Sequence, residues 1–250
     1  MNIKNFFIIW SLLAGLLFHS TGLSAAEPDW SRYNRILQDY VKPEKHYNTS
    51  LNWVDYSRLK KEPVFEKVVG QIENYPVTKL ISKEEKLAFY INAYNILALK
   101  TVLNHWPVQS IKDAGSFIYP VWYRDAGKIG GKTVTLNEIE HEVLRPMGEP
   151  RIHFAIVCAS VSCPDLRTEA YTAAELHRQL NDQAQRFLDN PSKGFIAENS
   201  QAHISQIFDW FRGDFKKRDS VKAFIRNHIK LPENIKLKTD LPYNWSVNGG

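Results

Sequence analysis

Cys158 and Cys163 are the residues of this chain best suited to covalent chemistry, and the sequence has no other cysteine. Both lie in Arg151-Ile-His-Phe-Ala-Ile-Val-Cys-Ala-Ser-Val-Ser-Cys-Pro164. A thiol attacks as its thiolate, which requires a base or a positive local field. His141 and His153 are the candidate bases, and Glu138, Glu140, Asn92 or Asn95 could orient one of them. The apolar run 152–157, interrupted only by His153, reads as a buried strand feeding a small-residue loop. On such a strand His153 and Cys158, five residues apart, face opposite ways. That makes His141, reaching across from a helix, the better partner. Cys163 precedes Pro164 at a turn that could open a helix, where free N–H groups favour an anion.

The same residues support blander chemistry. Cys158 and Cys163 could form a disulfide or a pair of buried thiols, since free cysteine packs as a small apolar group. His153 would then be a hydrogen-bonded core residue, and the protein a non-catalytic ligand- or partner-binding module. Four intervening residues allow a disulfide across a turn but not along an extended path. With His141 and His153 the cysteines could also make a tetrahedral metal set. The Cys-x4-Cys spacing is looser than usual zinc motifs, however, and neither a metal nor another cofactor is expected. Glu138, Glu140, Asp209 and Asp214 offer carboxylates for glycoside hydrolysis, but their spacing selects no pair. Asp209 and Asp214 read as helix-terminus charges near Arg212.

Several helices must position these groups. Ser82-Lys-Glu-Glu85 is a capping box opening a helix to about residue 103, ahead of Pro107. Leu87, Ile91, Tyr94, Ala98 and Val102 form one stripe of it. Glu85, Asn92, Asn95 and Leu99 form the next. Asn92 and Asn95 read as core amides satisfying loop backbone, or as holders of a catalytic His or a substrate carbonyl. Thr135-Leu-Asn-Glu138 opens a helix to about 145, with Leu136, Ile139 and Val143 inward. Thr172-Ala-Ala-Glu175 reads as a third capping box, before a helix ending at Asn190-Pro191. Further helices are predicted over about 29–41, from Pro63 and around 221–229. Residues 42–50 read as a polar loop and 53–56 as extended. Hairpins are expected at Gly130-Gly131 and across 198–201. With no repeat or linker, the fold class is α+β: a single, mainly helical domain around a small, mostly antiparallel sheet. That layout is compatible with the papain or transglutaminase class, an analogy that licenses no reaction.

The 250 residues carry a net charge of +5 with no concentrated basic stripe, so no nucleic-acid partner is expected. Lys4, an apolar run over 6–18 and Ser24-Ala-Ala26 have the pattern of a secretory signal peptide cleaved after Ala26. The expectation is an exported protein, periplasmic in a bacterium or secreted, with residues 27–250 as the domain and no membrane span after cleavage. Seven Trp, eleven Tyr and thirteen Phe suit a core and a groove for a small molecule, peptide or glycan.

The chain resembles the family of domain of unknown function 547. The resemblance rests on Glu85-Lys-Leu-Ala-Phe-Tyr-Ile-Asn-Ala-Tyr-Asn95, on Leu136-Asn-Glu-Ile-Glu-His-Glu-Val-Leu-Arg145 and on His153-Phe-Ala-Ile-Val-Cys-Ala-Ser-Val-Ser-Cys-Pro164. Ile207-Phe-Asp-Trp-Phe211, Asp214-Phe215 and Tyr243-Asn-Trp245 extend it, so that it covers about 50–250. It implies no activity. One departure is Asn244, where the family pattern has an acid. A thiol-dependent hydrolase or acyltransferase centred on the Cys158–Cys163 loop is the sharpest expectation the residues support, with the binding module as alternative.

Overall fold

The computed structural model describes residues 27–116, 118–216 and 220–250; the predicted signal peptide, 1–26, lies outside the described residues. Helix α1, Ser31–Tyr40, buries Tyr33, Ile36, Leu37 and Tyr40, the spacing its sequence predicts. The polar loop expected next is instead an antiparallel hairpin, β1 (Val41–His46) and β2 (Thr49–Val54). Tyr47 and Asn48 turn it in the left-handed region, φ 53° and 60°, which Asn tolerates because its short polar side chain bonds locally. Four consecutive residues of β1 are exposed, so no alternation marks it as a strand. A short helix α2, Tyr56–Leu59, precedes α3, Pro63–Glu73, which begins at proline and buries Phe65, Val68, Val69 and Ile72.

Helix α4, Lys83–His105, is the axis of the molecule. Its predicted capping box is present: Glu85 N–H donates to Ser82 Oγ at 3.1 Å, and the Glu85 carboxylate accepts from the Ser82 and Ile81 N–H groups. Its 23 residues span roughly 34 Å at 1.5 Å each. Both predicted stripes are buried and merge, so the helix lies inside the core rather than on it.

The sheet is divided into three small ones. Besides β1–β2, β3 (Asp125–Ile129) pairs antiparallel with β4 (Lys132–Thr135) through Gly130 and Gly131, at φ 57° and 81°. β5 (Phe195–Glu198) pairs antiparallel with β6 (Gln201–Ile204), and β7 (Lys236–Lys238) adds to β6 in parallel. The α+β class and the mainly helical content stand.

Three further local predictions are corrected. Helix α5, Leu136–Glu138, does not continue regularly: it widens into a π turn over Ile139–Leu144 and tightens to a 3₁₀ turn at Arg145–Met147, ended by Gly148 at φ 68°. The wider turn buries Ile139, Glu140 and Leu144, where an α-helix would have turned Val143 inward. Helix α6 begins at Leu176 and ends at Leu188, with no side-chain cap from Thr172. Asn92 clamps the Tyr171 backbone and Gln179 takes the Thr172 N–H at 3.0 Å, holding that segment off the helix axis.

The third correction is the cysteine approach. Residues Pro150–Phe154 form a 3₁₀ helix, not a strand, capped by the Glu149 carboxylate. A six-residue apolar run carries no period that separates the two forms, and among the described residues no strand pairs with it. Asn95 does the pairing: its Nδ2 donates to Ala155 O, and its Oδ1 accepts from Val157 N, each at 2.9 Å. Asn92 and Asn95 are thus backbone clamps, and neither holds a histidine.

Helices α7 (Ile207–Trp210), α8 (Arg212–Lys216) and α9 (Val221–Arg226) close a second, aromatic core with Phe154, Phe187, Phe208, Phe215 and Phe224.

Candidate functional site

A cleft of about 290 Å³ lies where the two cores meet, with Tyr94 and Ile156 from the first and Ile207 from the second in its lining. Trp122, Trp210, Phe211, Tyr243 and Trp245 make most of its wall. Tyr243, Trp210 and Trp245 pack on one another, with Tyr243–Trp245 centroids 4.5 Å apart, and Lys112 Nζ sits 3.4 Å over the Trp245 ring. Five of the predicted site residues line this cleft: Cys158, Cys163, His141, His153 and Glu140. Glu138 does not, because its carboxylate accepts the Thr135 N–H in the cap of α5.

The cysteine loop is held by the C-terminal tail. Val161 N–H donates to Ser246 O, Ser162 N–H to Asn244 O, and Asn248 N–H to Ala159 O. Asn244 adds its own N–H to Ser162 Oγ at 2.8 Å, while its side chain accepts from Ser246 N–H. The departure from an acid there thus falls on a backbone turn that an amide oxygen serves. Both cysteines are free thiols, and the disulfide alternative is not formed. No helix starts at Cys163; the chain runs on without helical structure until the turn before α6.

Cys158 is part-exposed and Cys163 buried. The Cys158 sulfur lies 3.2 Å from Ser160 Oγ and 3.4 Å from Tyr243 Oη. Its pKa is pulled down to about 6: the Cys163 thiol is the largest cause, burial opposes, and the Ser160 and Tyr243 hydroxyls assist. Hydrogen bonds to the charged form thus outweigh desolvation. Cys163 moves the other way, raised by burial and by the charge it supports on Cys158.

The same cleft is lined by two neighbouring acid–base groups, one on the π turn and one on the 3₁₀ helix. Glu140 is raised to about 7, by burial first and then by the negative charge of Cys158. Its Oε1 lies 3.8 Å from His153 Nδ1, an atom with no hydrogen-bond partner among the described residues. His153 Nε2 is 2.8 Å from Asp214 Oδ2, and its ring stacks on Phe211 at 3.9 Å. Burial lowers the His153 pKa against the pull of Asp214. Nε2 thus faces the Asp214 carboxylate and Nδ1 the Glu140 carboxyl group. His141, the base preferred from sequence, is more exposed and lies 2.7 Å from Arg145 Nη1 through its Nδ1. Burial and that guanidinium lower its pKa. The break in the expected strand is what brings His153 and Cys158 to one cleft.

Sequence reading missed Arg145 and Tyr243 as site residues, and weighed Asp214 only as a carboxylate without a chosen partner. Asp214 is no mere helix-terminus charge. It takes two bonds from Arg145, at 2.7 and 3.1 Å, besides that from His153. The His153 hydrogen bond and the Arg145 guanidinium hold its carboxyl far below the usual range. The only signal in the sequence was its place in the motif following Phe211. Asp214→Asn is expected to lose about 2–3 kcal/mol, the scale of charge-assisted bonds, in urea unfolding at pH 7. Because the folded pKa is depressed, this stabilisation is present above the unfolded value near 4 and fades as pH falls below it. Wild type and variant should converge toward acid pH; a gap independent of pH contradicts the assignment.

Among the described residues, no group of three or more His, Cys, Asp and Glu side chains is placed to hold a metal ion, and no helix is long and apolar enough to cross a membrane.

Fold and cleft together define an α+β protein that presents the Cys158 sulfur to an aromatic pocket. The family model described as Protein of unknown function, DUF547, matches residues 78–188, and over that segment the chain is similar to the DUF547 family. The match takes in both cysteines, Glu140 and His153 but stops before Asp214 and Tyr243. No curated protein and no solved structure matches the chain; the papain and transglutaminase comparison stays one of layout.

Proposed function

We propose that this protein is an exported thiol-dependent acyl-transfer enzyme, a hydrolase or acyltransferase, with Cys158 as nucleophile and Glu140 as its acid–base partner. The observation carrying the proposal is the part-exposed Cys158 sulfur, 3.2 Å from Ser160 Oγ and 3.4 Å from Tyr243 Oη, in a cleft that Glu140, its carboxyl raised to about 7, also lines. The Cys158 thiolate attacks the acyl carbonyl carbon, and the carbonyl electrons move onto oxygen. As sulfur loses charge, the Tyr243 hydroxyl beside it, which accepts from Ser160 Oγ at 3.2 Å, is free to donate to that oxygen. Collapse expels the leaving group, which takes the Glu140 proton. The resulting carboxylate then accepts a proton from water or another acceptor, which attacks the thioester and restores the thiolate. His153, held by Asp214 through Nε2, keeps its unpartnered Nδ1 3.8 Å from the Glu140 carboxyl group. The aromatic walls suit an apolar acyl group carried on a small molecule, peptide or glycan.

The test is rapid-quench mass spectrometry of the mature chain with a p-nitrophenyl acyl ester. An acyl adduct on Cys158 and a burst of nitrophenolate are expected. No adduct and no burst overturn the enzyme reading; if the ester is still retained, the cleft is a binding module. Export rests on Lys4, the apolar run 6–18 and the small residues to Ala26. Protein recovered from the producing cell is expected to begin at Glu27, and an intact Met1 terminus contradicts export by cleavage.

A further inference from the structure

Cys163 contributes more than a hydrogen bond to its neighbour. The Cys158 N–H donates to Cys163 Sγ at 2.9 Å. A cysteine's own sulfur lies about 3 Å from its own nitrogen through fixed bond lengths and staggered rotamers. The two sulfurs are therefore within a side-chain rotation of bonding distance. An extended path over these positions would separate them by roughly 16 Å. The loop instead folds back, with Ala159 at φ 56° and Cys163 N–H donating to Ser160 O at 3.1 Å. The tail bonds at Ala159, Val161 and Ser162 hold it there from outside, so closing the pair asks for rotamer changes and no refolding. Access is unequal: Cys158 opens to the cleft, and Cys163, 4% exposed, sits behind it.

We infer that Cys158 and Cys163 are an attacking and a resolving thiol, a redox pair that a low-molecular-weight disulfide oxidises to an intramolecular bond. The Cys158 thiolate attacks one sulfur of the reagent, breaking its S–S bond, forming a mixed disulfide and releasing one thiolate. Cys163 then loses its proton to that released thiolate or to solvent. Its sulfur attacks the Cys158 sulfur, and the second reagent thiolate departs. The protein gives up two electrons, and one reagent disulfide becomes two thiols. The depressed Cys158 pKa supports the first step. The inference rests on Cys158 being an accessible thiolate, as proposed above, and not on acyl chemistry. The closed form has no nucleophile, so oxidation switches the cleft off reversibly.

The experiment treats the reduced mature chain with oxidised glutathione and follows intact mass, mapped peptides and iodoacetamide labelling. Wild type is expected to lose two hydrogen masses with no retained glutathione, to lose labelling at Cys158, and to regain it in dithiothreitol. Cys163→Ser should stop at one glutathione on Cys158. If that variant does not fold, a wild-type time course should show the same adduct as a transient. A stable adduct on wild-type Cys158, or no oxidation of the folded chain under conditions that oxidise the unfolded one, overturns the inference. No acyl substrate is involved. A chain that closes the bond but takes no acyl group keeps the redox pair and loses the acyl-transfer reading, and the converse result separates them equally.

Discussion

Cys158→Ala should abolish the acyl adduct and lower kcat/KM toward an activated ester by at least about 10⁴-fold, or roughly 5 kcal/mol of transition-state stabilisation. The size follows from what is removed. With a pKa of about 6, the sulfur is roughly nine-tenths ionised at pH 7, against about 3% for a free cysteine near 8.5. The stabilising bonds come from the Cys163 thiol and from Ser160 and Tyr243, neutral donors that attract no competing anion into the cleft. The wild-type thiol should therefore alkylate with a midpoint near pH 6, read directly by iodoacetamide rate against pH. A midpoint above 8 removes the basis for the nucleophile. The Tyr243→Phe variant should move that midpoint upward while leaving the thiol reactive, because it deletes one donor of three.

Glu140→Gln carries the second large effect. The carboxyl rises to about 7 through burial and the facing thiolate. The thiolate exists above about 6, and the protonated carboxyl below about 7. The product of the two is a narrow bell with its maximum between those values, and both values belong to the coupled pair. Gln keeps the shape of the side chain but neither gives nor takes a proton. The maximal rate should fall about 10²–10⁴-fold, and the alkaline limb should disappear while the acid limb near 6 remains. A bell that survives in Glu140→Gln would move the acid–base role to another group, with His141 as the next residue to replace.

Much of this site was legible in the chain. Cysteine can be a nucleophile anywhere, but the small residues between Cys158 and Cys163 marked a loop, even though the segment leading into it was read as a strand. Ser82 and Glu85 set the start of α4, because a capping box is a contact over three residues and needs no tertiary partner. The same locality made α1, α3 and the Gly130-Gly131 hairpin readable. The Asn92 and Asn95 amides were readable as backbone holders, since a helix that is apolar all round leaves a polar group only such partners.

The rest depended on partners far along the chain. Whether residues 152–157 form a strand is decided by what satisfies their backbone. Here that is the amide of Asn95, some sixty positions earlier, so the segment bends. The bend places His153 beside Glu140 and its cleft. Asp214 becomes the anchor of His153 only because α8 packs there. The acidity of Cys158 is set by Tyr243 in the tail as well as by its own loop. Sequence alone determined which side chains were available and which helices and turns would carry them, because those follow from neighbours a few residues away. Tertiary structure decided which imidazole, which carboxylate and which sulfur act together. Distance and desolvation between remote segments set pKa values, and neither is written in local spacing.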